Sequence, residues 1–265
     1  MLEIKTQVKT ILDCQPDAIP DEILNSNQPL VLRGLTSSWP MVAAAKHSAN
    51  RATEYLGNFD SGKPLTAMVG DADMAGRVFY NADFSGFNFD YQRLRLAEVL
   101  EKLLNKAGKN APQTVYVGST NVDHWLPGFR QQNDLNLAKQ DPIVSVWIGN
   151  QSRIAAHYDF PTNIACSVAG RRRFILFPPD QLDNLYVGPL DITPAGQPIS
   201  LVDFNAPDYQ RFPKFRQALE SAQIVELAPG DAILIPSMWW HHVEALDVFN
   251  VLVNYWWRST PKYLC

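Results

Sequence analysis

Cysteine, histidine and long apolar runs are all scarce in this 265-residue chain. Its three cysteines, Cys14, Cys166 and Cys265, are too few and too scattered for a disulfide framework or a thiolate zinc site, which points to a reducing, cytoplasmic setting. No apolar stretch approaches the ~20 residues needed to cross a bilayer, and the opening MLEIKTQVKT lacks the apolar core of a signal peptide. A soluble chain that is not exported is therefore expected. Positive charge is not in excess either: 23 Lys and Arg stand against 27 Asp and Glu, a net charge of -4, so nothing argues for general nucleic-acid binding. Repeats of fixed period and low-complexity tracts are absent. What is present is apolar residue enough, at 46%, for one large domain that buries roughly 75% of its unfolded surface without staples.

The first part of the chain reads as mixed α/β. QPLVLRGL, from Gln28 to Leu35, is a short apolar run with Gly34 near its end, and SSWP at 37–40 marks a loop. A helix is predicted over about 41–56 and a better one over 91–106. In the second, Leu94, Leu96, Val99, Leu100, Leu103 and Leu104 recur at helical spacing, and Gly108 supplies a stop signal. After Pro112 the texture changes to short β-rich runs punctuated by Gly and Pro: TVYVGS, PIVSVWIG, NIACSVAG, RRFILFPP, QIVELAPGD, AILIPS and DVFNVLVNYWW. Ala169-Gly170 predicts a hairpin-like turn into Arg171, and a Pro-rich excursion from 178 to about 213 separates two halves of the strand set. Helices do not alternate with these strands. The expected fold is therefore mainly β, a double-stranded β-helix or jelly roll with N-terminal α-helices packed outside. It is read as one domain over 1–265, with an N-terminal α/β portion at 1–111 and a jelly-roll core at 112–265.

Three of the five histidines fall in two places, His157 in AHYD and His241 with His242 in PSMWWHHVE. Residues i and i+2 of a strand share a face, so His157 and Asp159 present an imidazole and a carboxylate side by side. A third ligand comes from His241 or His242 on another predicted strand. Two histidines and a carboxylate leave metal positions open, the arrangement of non-haem Fe(II) oxygenases. The same parity carries on through Asn163, Ala165 and Ser167, a small and polar face with room for a ligand. Arg172 alternates onto one face with Phe174 and Leu176, whereas Arg171 and Arg173 go with Ile175 and Phe177. An inward Arg172 needs an anion, either a protein carboxylate or that of a small cosubstrate. On the last strand Asn254 is costly to bury alone, so it bonds a ligand or a backbone carbonyl.

AHYDFPTN, GRRRFILFPPDQ, VDFNAPDYQRFPKF, PGDAILIPSMWWHHVEAL and VNYWW, in this order, resemble the JmjC-domain, cupin-8-type Fe(II)/2-oxoglutarate oxygenases, within them the asparaginyl-hydroxylase subgroup of factor inhibiting HIF. The resemblance runs from about Tyr116 to Trp257. It implies that His157, Asp159 and His241 are the catalytic Fe(II) ligands, with His242 in a supporting place. It further implies that Tyr116, Asn163, Arg172 and Asn254 surround 2-oxoglutarate and that Trp256 forms a wall of that pocket. The implied reaction takes O2 and 2-oxoglutarate, releases succinate and CO2 and hydroxylates a substrate C–H, the expected substrate being a protein or peptide side chain. Two positions depart from the subgroup: Ile154 stands where it has a threonine, and Arg172 where it has a lysine, with the small Ala165 giving room. The chain also ends at Cys265, soon after Trp257, without the C-terminal helices through which that subgroup dimerises, so the oligomeric state stays open.

Other readings are an oxygenase acting on RNA or a small molecule, a zinc or manganese cupin that works without 2-oxoglutarate, and a non-catalytic metal-binding cupin. An inward Arg172 speaks against the zinc reading, and the intact His157, Asp159 and His241 set against the last. His124, beside Trp125, is a candidate for the pocket mouth or a solvated loop residue. His47 is expected on a helix surface, and a buried Cys166 acts as a small apolar residue.

Overall fold

Alternation along the Gly- and Pro-punctuated runs turns into eight antiparallel strands, in a computed structural model that describes residues 2–105 and 113–258. In chain order they are Ile143–Gly149, Arg153–His157, Thr162–Ala169, Arg172–Phe177, Gln223–Leu227, Ala232–Ile235, Trp240–Ala245 and Asn250–Trp257. The sixth, third, eighth and first lie side by side in a nine-stranded sheet, and the fifth, fourth, seventh and second in a six-stranded one. Every step along the chain except that from the fourth to the fifth strand crosses between the sheets. This is the jelly roll expected from sequence.

Both faces of the large sheet are covered, which explains why its strands read as nearly continuous apolar runs. Val144, Val146, Ile148, Val251 and Val253 point outward onto Met41, Val42, Leu56, Val99 and Leu103 of the N-terminal helices. Their alternation partners point inward. Ala165, Phe174, Leu176, Val225, Ile233, Val243 and Leu252 fill the space between the sheets. Burying each large apolar side chain contributes about 1.5–3 kcal/mol.

The N-terminal portion does more than pack outside. Leu30–Leu32, from QPLVLRGL, pairs with the sixth jelly-roll strand, and Thr114–Asn121, Leu65–Gly70 and Asp90–Leu94 extend the large sheet beyond the first. The helix expected over 91–106 therefore starts later. Tyr91 and Arg93 are taken by the ladder with Met68 and Thr66, and the helix runs Leu96–Asn105, its start closed by the Arg95 backbone N–H donating to Glu98 Oε2 at 2.7 Å. Gly108, the 111/112 boundary and Cys265 lie outside the described residues. The helix expected over 41–56 is two, Pro40–His47 and Ala49–Gly57, because extended Ser48 caps the second by accepting from the Arg51 N–H. Nor is Ala169-Gly170 a hairpin turn. It carries the chain between sheets, with Gly170 at φ 69° against Phe249 O and the Asn250 side chain, where a Cβ would collide. Among the described residues no helix is long and apolar enough to cross a membrane.

Candidate active site

His157 ends the second jelly-roll strand and His241 lies directly across from it on the seventh. The two imidazole rings sit 4.3 Å apart, and His241 Nε2 is 3.6 Å from Asp159 Oδ2. One ligand atom from each of His157, Asp159 and His241 lies within 4.8 Å of the others. Backbone carbonyls fix the rings: His157 Nδ1 is 2.9 Å from Ala155 O and His241 Nδ1 3.0 Å from Trp239 O. With both Nδ1 atoms donating, each Nε2 keeps its lone pair for a metal. Burial, then the neighbouring His157, holds His241 well below the usual histidine range, so it is neutral at pH 7. Two further bonds tie the Asp159 segment to the turn before His241. The Met238 N–H donates to Asp159 O at 2.9 Å, with Met238 at φ 67°, and Ser237 Oγ donates to Phe160 O at 2.6 Å. The donor set therefore fits a divalent cation.

A cavity of about 490 Å³ runs from this triad into the barrel. Arg172 lines it, only 2% exposed, opposite Ala245 on the seventh strand while Leu176 lies opposite His241. Four residues along a strand place its backbone ~13 Å from the histidine row. Its Nε and Nη2 have no hydrogen-bond partner, and no carboxylate pairs with it among the described residues. Burial, partly offset by Tyr116, pulls the guanidinium down to about 10, which leaves it cationic at pH 7. Tyr116, 5% exposed, is pushed upward by its own burial, against the pull of Arg172, so its hydroxyl stays protonated. Asn163, Asn254 and Trp256 line the same space. Asn254 Nδ2 donates to Asn163 Oδ1 at 2.8 Å, so its partner is a neighbouring side chain and not a backbone carbonyl. Every residue singled out for metal or cosubstrate thus borders one cavity.

The model of the cupin-like domain family matches residues 16–263. The chain belongs to that family. HSPB1-associated protein 1 of Homo sapiens is 36% identical over 269 residues, covering 94% of this chain and 52% of that protein. Lysine-specific demethylase JMJ31 of Arabidopsis thaliana is 33% identical over 123 residues, 46% of this chain and 22% of that one. The tRNA wybutosine-synthesizing protein 5 of Danio rerio is 35% identical over 106 residues, 40% of this chain and 29% of that one. The chain spans about half the length of the human relative and less of the other two. The jelly roll described above is the fold expected of a cupin-like domain.

Within this cupin-like barrel several side chains lie elsewhere than the site. His242 faces out from the small sheet, 3.2 Å from Glu244 Oε1 and stacked on Phe204 at 4.5 Å. His124 is exposed, packs on Trp125 and meets Lys63 Nζ at 3.4 Å, away from the cavity lining. His47 is exposed at its helix end. Asn163, Ala165 and Ser167 share one face as parity predicts, opposite Trp256, Asn254 and Leu252, and the register slips only after Ser167, whose hydroxyl donates to Gly170 O. Ile154 lines the cavity and adds no hydroxyl.

Two features of the cupin-like site escaped sequence reasoning. Trp147, on the first strand, lines the cavity. Its signal was parity with Ser145 and Gly149, opposite to the outward valines. The other is an arm at 186–201 within the Pro-rich excursion. Its base pairs Val187 with Ser200 and Ile199 with His157, and its tip brings Pro194, Ala195 and Gln197 to the mouth. Tyr80 and Tyr91 hold that tip, donating to Ile192 O at 2.8 Å and Pro194 O at 2.9 Å. No periodicity announces such an arm.

Proposed function

We propose that this protein is an Fe(II)- and 2-oxoglutarate-dependent dioxygenase that hydroxylates a protein side chain, in a cytoplasmic setting consistent with free Cys14 and Cys166. One observation carries the reading: a buried, unpaired Arg172 shares a cavity with His157, Asp159 and His241. A buried cation without a counter-ion costs several kcal/mol, so a fold that keeps one supplies a place for an anion. A zinc site working through bound water has no use for it.

His157 Nε2, His241 Nε2 and an Asp159 oxygen would hold the metal. The guanidinium of Arg172 would pair with the distal carboxylate of 2-oxoglutarate, with the Tyr116 hydroxyl beside it as a neutral donor. Asn163 and Asn254, locked to each other, would present their remaining polar atoms to the same molecule, and Trp256 would close its side. Apolar Ile154, Phe174, Val243 and Leu252 keep water out of the space between. The chemistry supplied when metal, cosubstrate and O2 are bound is oxidative decarboxylation coupled to hydroxylation of a C–H, with succinate and CO2 as products.

For the substrate class, a protein side chain has the name of the Arabidopsis demethylase behind it. RNA has that of the zebrafish wybutosine protein, but a net charge of -4 weighs against RNA here. The test is O2-dependent succinate release with Fe(II), 2-oxoglutarate and either a peptide mixture or total tRNA. Stimulation by peptides, a one-oxygen mass increase on one of them and loss of both in His157→Ala are expected. Stimulation by tRNA alone would move the substrate to RNA, and no succinate in either arm would remove the oxygenase reading.

A further inference from the structure

Arg172 is not the only orphan in the cavity. Trp147 Nε1, Trp256 Nε1 and Asn254 Oδ1 are also buried without partners. All three come from the paired first and eighth strands, where Trp147 lies opposite Leu252 and Trp256 opposite Ile143. The two indoles meet edge to face at 5.9 Å. The Trp147 ring also stands 5.9 Å from the Tyr116 ring, and Tyr116 is the group that acts on Arg172 electrostatically. Gly118 explains how the indole is turned. A Cβ there would come 3.3 Å from Trp147 Cζ3 and 3.7 Å from Cε3, so the benzo edge lies against that strand and the N–H edge faces the other way. On the opposing wall Ile154, Phe174 and Val243 carry no side-chain acceptor, and Arg172 can only donate.

Buried N–H groups find acceptors in nearly all folded proteins, and an indole can only donate. Its missing acceptor is then one that arrives with the ligand. Resting on the reading of this cavity as a 2-oxoglutarate site, we propose that Trp147 is a cosubstrate-binding residue whose indole N–H joins Arg172 and Tyr116 in holding the distal carboxylate. The recognition set is then one cation and two neutral donors, the donors on the paired strands Thr114–Asn121 and Ile143–Gly149 and Arg172 on the other sheet, where Ile154 contributes no hydroxyl.

The experiment uses indole 1H–15N spectra of the full chain with Zn(II), before and after 2-oxoglutarate, together with calorimetry of 2-oxoglutarate binding to the Mn(II) protein. Trp147→Phe assigns the Trp147 peak among the seven tryptophans. That peak is expected to move downfield with 2-oxoglutarate and not with Zn(II) alone. Trp147→Phe should weaken 2-oxoglutarate about tenfold with Mn(II) affinity unchanged, as expected for one hydrogen bond to a charged group. Trp125→Phe, whose indole already donates to Pro64 O, should change neither. Wild-type binding with a stationary Trp147 peak, or undiminished affinity in Trp147→Phe, overturns this inference alone. Should Trp147→Phe not fold, the wild-type spectra still decide, since binding that moves no indole peak downfield overturns it. A wild-type protein that does not bind 2-oxoglutarate overturns the cosubstrate reading as well.

Discussion

Arg171, Arg172 and Arg173 follow one another at the start of the fourth jelly-roll strand, and the two faces of that strand treat them differently. On the outer face Arg171 pairs with Asp247 at 2.8 Å, and Arg173 bridges Glu226 at 2.6 Å and Glu244 at 2.9 Å. On the inner face Arg172 is the most buried of the three and has neither an acceptor for Nε nor one for Nη2. Outside, the protein supplies the counter-charge and the cations serve the fold. Inside, the fold carries a charge with no carboxylate partner among the described residues, and on the proposed reading the cosubstrate supplies it. The same residue type, one position apart, thus meets two different electrostatic surroundings.

The largest effect should follow from removing the inner cation. Arg172→Met is expected to weaken 2-oxoglutarate on the Mn(II) protein by about 100-fold or more, measured by calorimetry, because a charge-assisted bidentate contact is lost. Metal affinity should not change. Arg172→Lys should restore part of the affinity, keeping the charge without the fork. If Arg173→Met weakens the cosubstrate equally, the distinction between the faces is broken.

Stability should move the other way. In the ligand-free protein Arg172→Met is expected to raise the unfolding free energy by about 1–3 kcal/mol in urea titrations, since an uncompensated buried charge gives way to an apolar side chain. Arg173→Met should instead cost about 1–2 kcal/mol, because Glu244, 7% exposed, loses its only cationic guanidinium partner among the described residues. Opposite signs for neighbouring arginines would sharpen the comparison, and equal signs would remove it.

The smallest effect belongs to the exposed pair. Arg171 hydrogen bonding holds the Asp247 carboxyl below the usual carboxylate range. A lowered folded pKa gives a contribution present above the unfolded value of about 3.9 and lost as pH falls through the folded one. Asp247→Asn should therefore lower stability slightly above about pH 4, with the difference from the wild type vanishing as pH falls through the folded value, and added salt should mask that difference.

The inner and outer assignments of the arginines were legible in the sequence because a strand's period of two is local and needs no knowledge of the partner. For the same reason His157 and Asp159 could be placed side by side. The choice of His241 over His242 came from resemblance, and cross-strand register shows its physical basis: His241 lies opposite His157 while His242 faces out toward Glu244 and Phe204. What could not be read depends on distant chain. Tyr91 to Leu94 look helical beside the leucines that follow, and only the ladder with Leu65–Val69 makes them a strand. The partner of Asn254 is on the adjacent third strand, and the orphaned state of Trp147 exists only once the barrel is closed. The arm at 186–201 is held by tyrosines far away in sequence, which no local pattern reports.

The most direct test is an anaerobic titration of the Fe(II) protein with 2-oxoglutarate, followed by visible absorption. A metal-to-ligand charge-transfer band should grow and saturate in the wild type, be absent in His157→Ala and require about 100-fold more 2-oxoglutarate in Arg172→Met. A wild type without the band, or an Arg172→Met curve that overlays it, would contradict a cavity built around a metal at one end and an unpaired arginine at the other.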